Sequence, residues 1–212
     1  AYTTINDPSA HFQIATYTGA GNSSSVTFGG NSDLQPDWLW VKRRDSADNS
    51  KVFDTSRGIG SGNEPYLSTT LEEEEQTYGY LTSVDSDGFT WDTVDSSTGA
   101  SSNTYVAWAW KANGGTRTTN TESGNNPAGG YQANTTAGFS IIDYTGTGAA
   151  GTMAHGLGAV PHMIIFKTRA TGNWNVYHQG IGAGKYLLLS TTDGEQTEVS
   201  RFNNTAPTSS DF

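Results

Sequence analysis

The chain contains nearly the same ten residues twice. Residues 12–21 read FQIATYTGAG and residues 139–148 read FSIIDYTGTG. Further segments repeat in the same order: 36–44 with 161–169, 51–54 with 175–178, 66–77 with 187–197, and 87–89 with 210–212. Ordered matches at a nearly constant spacing indicate a tandem duplication. The fold must therefore be one that two copies of the same module can form.

The two copies differ in length. The first copy continues to NTYVAWAWK at 103–111, whereas the second ends at Phe212 before an equivalent segment. We expect one module at residues 1–111 and a C-terminally incomplete copy at 139–212. Either the natural protein continues, or a strand from elsewhere completes the second sheet. Truncation is favoured, because a missing core strand exposes a sheet edge.

Residues 112–138 join the two copies. They read ANGGTRTTNTESGNNPAGGYQANTTAG and contain mainly Gly, Asn, Thr and Ser. Such a composition is typical of a linker or a long loop.

The periodicity of the chain is that of β-strands. Short runs rich in Val, Tyr, Trp, Phe and Thr alternate with clusters of Gly, Asn, Asp, Ser and Pro. The best helical candidate, LEEEEQ at 71–76, is a single turn at most, and we expect a solvated loop there. The pattern predicts an all-β protein of tandem antiparallel β-sandwich modules, either jelly-roll-like or lectin-like.

Tryptophan placement suggests which strand faces are buried. In YVAWAWK, Trp108 and Trp110 share one face, opposite Ala107 and Ala109. We expect the Trp face to fill the core and the Ala face to lie under a neighbouring layer. Most of the six Trp are assigned to the core on the same grounds. Trp174, near a loop, is the best candidate for an exposed ring that could stack on a sugar.

The charge balance narrows the choice of partners. The chain has a formal net charge of −10, and its 11 Lys and Arg are scattered. This pattern disfavours nucleic-acid binding, which requires clustered positive charge, and an anionic membrane surface would repel the chain. No apolar run is long enough to span a membrane.

Cysteine is absent from the sequence, so neither a disulfide nor a thiolate nucleophile is available.

Catalytic and metal motifs are not found in the sequence. It contains no G-x-S-x-G, H-E-x-x-H, P-loop or dinucleotide fingerprint. The four His are expected to be polar surface residues. Asp85 and Asp87 could begin a calcium loop, but they precede Gly88 and suit a tight hairpin turn better. The glycines of the two repeated decapeptides are expected to permit a positive φ in a turn, not to bind phosphate.

Four segments carry a resemblance to a known protein class. They are Phe12 to Gly21, Phe139 to Gly148, Gly156 to Arg169 and Thr104 to Lys111. Together they resemble a repeated module of uncharacterised tailed-bacteriophage proteins, often from marine phages, that are described as tail, fibre or other virion structural proteins. The resemblance covers nearly the whole chain and brings no catalytic residues with it.

The resemblance implies a non-enzymatic structural or adhesion component of a virion, in a tail fibre, an appendage or a surface decoration. Its partners would be other virion proteins, copies of itself, or host surface glycans. The alternative is a carbohydrate-binding module that recognises host glycans, with or without calcium. An enzyme is disfavoured, because no pair of carboxylates can be nominated for glycoside hydrolysis.

Overall fold

The computed structural model describes residues 5–59, 64–78, 81–91 and 95–212. Within these ranges the only helix is a 3₁₀ turn at Pro8–Ala10, and every strand pairing is antiparallel. The all-β prediction is therefore confirmed. The chain divides into two compact units, residues 1–69 with 75–115 (unit 1) and residues 70–74 with 116–212 (unit 2).

The described part of unit 1 holds nine strands. They are β1 (Phe12–Thr18), β2 (Ser24–Thr27), β3 (Trp38–Arg43), β4 (Lys51–Asp54), β5 (Pro65–Ser68), β6 (Gln76–Thr77), β7 (Leu81–Asp85), β8 (Gly88–Trp91) and β9 (Thr104–Trp110). Six form a sheet in the order β1-β9-β3-β4-β5-β6, and three form a sheet in the order β2-β8-β7. The last strand of the unit is thus inserted between the first and the third.

The two sheets of unit 1 share one hydrophobic core, so the unit is sandwich-like. The six-stranded sheet contributes Leu39, Val41 and Phe53, and β8 contributes Phe89 and Trp91. All five are fully buried. The rings of Phe53 and Trp91 meet edge to face, with 5.8 Å between their centroids. A few large aromatic side chains therefore build the core of a chain whose apolar fraction is low.

The prediction for the faces of β9 is wrong. Ala107 and Ala109 are fully buried against the core, whereas Trp108 and Trp110 lie half-buried on the opposite face of the sheet. The rings of β8 fill the space in front of Ala107 and Ala109, so only small side chains fit at these two positions. For the same reason Leu39 and Val41 of β3 point into the core, and Trp38 and Trp40 do not.

Unit 2 holds seven strands. They are β10 (Thr118–Asn120), β11 (Gly129–Asn134), β12 (Phe139–Tyr144), β13 (Met163–Phe166), β14 (Asn175–His178), β15 (Lys185–Leu188) and β16 (Gln196–Thr197). They form two sheets, ordered β10-β11-β12 and β13-β14-β15-β16.

The segment at 112–138 is not the linker that its composition suggested. It supplies β10 and β11, and β11 pairs with β12 along its whole length. Gln132 is fully buried in this sheet. The Gly- and Asn-rich composition hid these strands, because backbone pairing of β10 with β11 and of β11 with β12, not side-chain hydrophobicity, holds them in the sheet.

The strand order of the first copy recurs in the second. β3-β4-β5-β6 and β13-β14-β15-β16 pair antiparallel in the same sequence. Their registers also correspond: Trp38 faces Asp54 as Met163 faces His178, and Tyr66 faces Gln76 as Tyr186 faces Gln196.

The prediction for the glycines of the repeated decapeptides holds in part. Gly21 and Gly148, at the ends of the decapeptides, have φ of 75° and 77°, where L-residues are strained, whereas Gly19 and Gly146 do not have a positive φ. The glutamate run forms an irregular loop, not a helical turn, and Glu72, Glu73 and Glu74 are exposed.

His155 differs from the expectation that the four His are polar surface residues, since it is fully buried. Its Nε2 lies 3.2 Å from Thr208 O, and its Nδ1 accepts from Leu157 N.

The assignment of the β9 faces can be tested with a matched pair of substitutions. Ala107→Leu should lower the free energy of unfolding by about 1–3 kcal/mol, because added methylenes overpack a filled core. Val106→Leu, one residue away on the opposite face, should change it by less than about 0.5 kcal/mol. Urea denaturation of both variants gives the comparison. Equal losses would show that the two faces of β9 are packed alike.

Candidate functional site: an aromatic sheet face

One face of the six-stranded sheet presents large apolar side chains to the outside of unit 1. We name it the aromatic face and define it by Phe12, Ile14, Trp38, Trp40, Trp108 and Trp110. They come from three neighbouring strands, β1, β9 and β3, and the pleat sends all six to the side away from the core.

Strand register aligns these side chains in two rows. Phe12, Trp110 and Trp38 are directly opposite one another, and so are Ile14, Trp108 and Trp40. Side chains that face each other across antiparallel strands are in contact distance. The rows arise because each strand places its large residues two positions apart.

The rings contact one another in a continuous series. The centroid distances are 4.5 Å from Phe12 to Trp110, 4.8 Å from Trp110 to Trp38, 5.7 Å from Trp38 to Trp40 and 5.7 Å from Trp40 to Trp108. All four pairs are tilted or edge to face, the arrangement that aromatic quadrupoles favour. The series holds the indoles in fixed orientations, and each of the four is partly buried.

The aromatic face is bounded by polar groups on one side. Beyond Trp38, the next residue in the row is Asp54, whose carboxylate accepts from Arg57 Nε at 2.5 Å. The Arg57 guanidinium also donates to Glu75 and to the Val52 carbonyl, at 3.1 and 3.0 Å. This buried ion-pair network covers the outer side of β4, so the exposed apolar surface ends at β3.

Two features of the aromatic face are unusual for a surface exposed to water. Ile14 leaves 54% of its surface exposed, in the centre of an apolar row. The indole N–H of Trp40 is buried and has no acceptor among the described residues. A partly exposed apolar cluster next to an unsatisfied donor is costly in a monomer, and apolar surface clusters commonly mark interaction surfaces.

Two ionisable groups of unit 1 with shifted pKa values, Lys51 and Tyr17, lie on the core side of the sheet. Burial lowers the pKa of Lys51, while its ion pair with Asp95 opposes that shift. Burial likewise raises the pKa of Tyr17, whose hydroxyl donates to Thr98 O at 2.6 Å. Both side chains are held by protein partners on the core side of the sheet, so their role is structural.

The calcium candidates Asp85 and Asp87 flank the turn between β7 and β8. Asp85 accepts from Ser83 Oγ and Thr90 Oγ1, both at 2.7 Å, and Asp87 accepts from Leu34 N at 3.2 Å. The hairpin turn that we expected at this place is present. Within the described part of the chain, no group of three or more His, Cys, Asp or Glu residues could hold a metal ion.

Trp174, the predicted exposed aromatic, is only 6% exposed and lies in the core of unit 2. The prediction of its exposure is therefore wrong. Its backbone carbonyl accepts from Leu189 N, which draws the segment before β14 into the sheet. A local loop-like sequence concealed this long-range pairing.

Sequence reasoning missed the aromatic face because it assigned the strand Trp to the core. The available signal was the pairing of Trp-x-Trp with small or medium residues at the intervening positions in both β3 and β9. In the observed register both strands send their indoles to the same face. A core that already contains Phe53, Phe89 and Trp91 has no room for them.

No described helix is long and apolar enough to cross a membrane.

Comparison with known protein families identifies the family to which the chain belongs. Residues 7–212 match the model of a domain of unknown function, DUF7483, so the match spans both units. Searches of curated proteins and of solved structures each found no match to the chain. Because the matched range covers nearly all of its residues, the chain belongs to the DUF7483 family.

Proposed function

We propose that the protein is a non-enzymatic structural or adhesion component of a bacteriophage particle, located in a tail fibre, an appendage or a surface decoration. The observation that carries the adhesion role is the aromatic face. Six large apolar side chains held in fixed orientations on one sheet provide a surface suited to binding another molecule, not to chemistry on it. Aromatic residues of this kind dominate the energy of protein interfaces.

The sequence resemblance to virion proteins supports the location, and the duplication supports the architecture. We propose that both units are copies of one sandwich module, of jelly-roll or lectin-like type, arranged in tandem. The recurring four-strand order and register support this proposal. Particle proteins gain from such repetition, since each module adds another surface for contact with neighbours.

The second candidate function is carbohydrate binding. It is favoured by the partly exposed indoles of Trp40 and Trp108, because sugars stack on such ring faces. Host surface glycans would be the ligands. Calcium is not required by the observed geometry, since the carboxylates of Asp85 and Asp87 already accept hydrogen bonds from protein groups.

The virion location predicts that the protein is found in purified particles. In lysates from infected cells that express the gene, antibodies raised against the chain should label phage particles after density-gradient purification. Electron microscopy with gold-labelled antibodies would show which part of the particle carries the protein. If the protein stays in the soluble fraction while particles of normal shape lack it, the structural role is refuted.

Glycan binding predicts a specific dependence on the aromatic face. If the purified chain binds host-surface polysaccharide, Trp108→Ala should weaken the affinity about tenfold or more, because it removes a stacking ring. Trp174→Phe, a conservative change in the core of unit 2, should leave the affinity unchanged. Binding should persist in chelator.

Isothermal titration calorimetry measures these affinities. Saturable binding that Trp108→Ala does not weaken would place the sugar elsewhere on the chain. A folded chain that binds none of the polysaccharides would remove the carbohydrate function and leave the structural one.

A further inference from the structure

The aromatic face continues along its strands into a polar end. On β3, Lys42 follows Trp38 and Trp40 at the two-residue spacing of one sheet face, and it lies opposite Val106 of β9. On the other side of Val106 lies Thr16 of β1, which is exposed. A third row, formed by Thr16, Val106 and Lys42, therefore adjoins the second row of the aromatic face.

The ladder between β3 and β9 extends one residue beyond β3, to Arg44. Arg44 N donates to Thr104 O at 2.8 Å, and Thr104 lies opposite the exposed Thr18 of β1. Since Arg44 comes two residues after Lys42, its side chain leaves the sheet on the same side, and Arg44 is exposed. We name this part of the sheet the basic end and define it by Thr16, Thr18, Lys42 and Arg44.

The two cations of the basic end differ from their neighbour Arg43, which has carboxylate partners. Arg43 pairs with Asp45 and Asp48 at 2.5 and 2.7 Å. Among the described residues, neither Lys42 nor Arg44 forms an ion pair, and the ammonium of Lys42 donates to the backbone carbonyl of Asp48 instead. Three cations and two carboxylates thus meet at this end of β3, so one positive charge is left uncompensated.

This positive charge has the sign opposite to that of the chain as a whole, whose formal net charge is −10. An anionic ligand is repelled by most of the surface and attracted at the basic end, so charge complementarity directs it to this end of the aromatic face. The guanidinium of Arg44 presents a planar fork of donors that matches a carboxylate. The basic end therefore indicates a ligand that carries carboxylates.

The size of the aromatic face indicates a narrow ligand rather than a protein surface. A stable protein interface takes about 800 Å² from each partner. Five of the six side chains of the face are partly buried rings, which present about 250 Å² each when fully exposed, so the face offers at most about 600 Å². A chain of sugar rings fits this area, because its rings stack on the indoles while its hydroxyl groups face Thr16 and water.

The spacing along β3 suits a sugar that bears a carboxylate on its ring. Trp40 and Lys42 are two residues apart, which is about 7 Å along the strand. A uronic acid whose ring stacks on Trp40 and Trp108 therefore places its carboxylate near Lys42. Arg44 lies the same distance farther on, where it meets the carboxylate of the next sugar.

We propose that the aromatic face and the basic end together bind an acidic polysaccharide, in which uronic acid rings stack on Trp40 and Trp108 and carboxylates pair with Lys42 and Arg44. This inference rests on the carbohydrate-binding function proposed above and adds the chemical class of the glycan. A neutral glycan contacts the same rings but forms no ion pair, so it binds more weakly.

The first test compares two ligands that differ only in charge. Isothermal titration calorimetry of the full chain uses polygalacturonate and the same polymer with its carboxylates methyl-esterified. Polygalacturonate should bind at least about tenfold more tightly, and added salt should reduce this difference, because salt screens exposed charges.

The outcomes separate the acidic ligand from carbohydrate binding in general. Equal affinity of the two polymers, or tighter binding of the ester, would overturn the acidic ligand and leave carbohydrate binding in place. Absence of polygalacturonate binding to the folded chain up to about 1 mM of sugar units would also overturn the proposal. Carbohydrate binding itself is then decided by the titrations with host-surface polysaccharides.

Variants that remove one charge locate the carboxylates. Arg44→Gln and Lys42→Gln should each weaken polygalacturonate binding about fivefold or more and leave binding of the ester unchanged, because the rings remain. Arg44 is exposed, so Arg44→Gln should fold normally, and it decides the question if circular dichroism shows that Lys42→Gln is unfolded.

The matched control is Lys167→Gln, which removes the same charge in unit 2. The ammonium of Lys167 is held by the carbonyls of Thr168 and Ala170, at 2.7 and 2.9 Å. This variant should bind both polymers as the unmodified chain does. Equal weakening by all three substitutions would mean that the total charge of the chain, not the basic end, attracts the polymer, and would overturn the proposal.

A polyglutamate peptide tests whether the sugar rings are needed. It carries carboxylates but no ring that stacks on an indole, so it should bind at least about tenfold more weakly than polygalacturonate. Equal binding of the two polyanions would identify an acidic polypeptide as the ligand class and would overturn the assignment to a glycan.

Discussion

The insertion of β9 between β1 and β3 is the constraint on which the structure of unit 1 depends. One seven-residue strand hydrogen-bonds along both of its edges and connects the beginning of the unit to its middle. Its inward alanines allow the rings of Phe89 and Trp91 to approach the sheet. Its outward indoles link Phe12 on one side to Trp38 and Trp40 on the other. Core packing and the aromatic face are therefore two results of the same strand.

Unit 2 shows what the module becomes without that strand. The sheet divides between β12 and β13, and residues that are fully buried in unit 1 have partly exposed equivalents. The strands β10 and β11 compensate on the far edge of β12, where unit 1 has no partner strand among its described residues. Within residues 1–212, unit 1 thus has a strand between its first and third strands, whereas no strand lies between β12 and β13.

The sequence allowed the all-β class, the repeat and the main strands to be predicted, because period-two alternation and ordered matches are local signals. The faces of β9 could not be predicted in this way, since Trp108 and Ala107 exchange roles according to what fills the core in front of them. Trp174 and the strands within 112–138 were misassigned for a related reason. Their placement depends on backbone pairing with distant segments, which leaves no mark on local composition.

The central claim is that β9 pairs with both β1 and β3 and so holds the sheet of unit 1 together. Native-state amide hydrogen exchange of the unmodified chain, followed by NMR, tests it most directly. The amides of Ala15 and Trp40, which face β9, should be strongly protected, and that of Ile14, which faces the outer edge of β1, should exchange much faster. Equal exchange of the Ala15 and Ile14 amides would contradict the claim, because the two edges of β1 would then be alike.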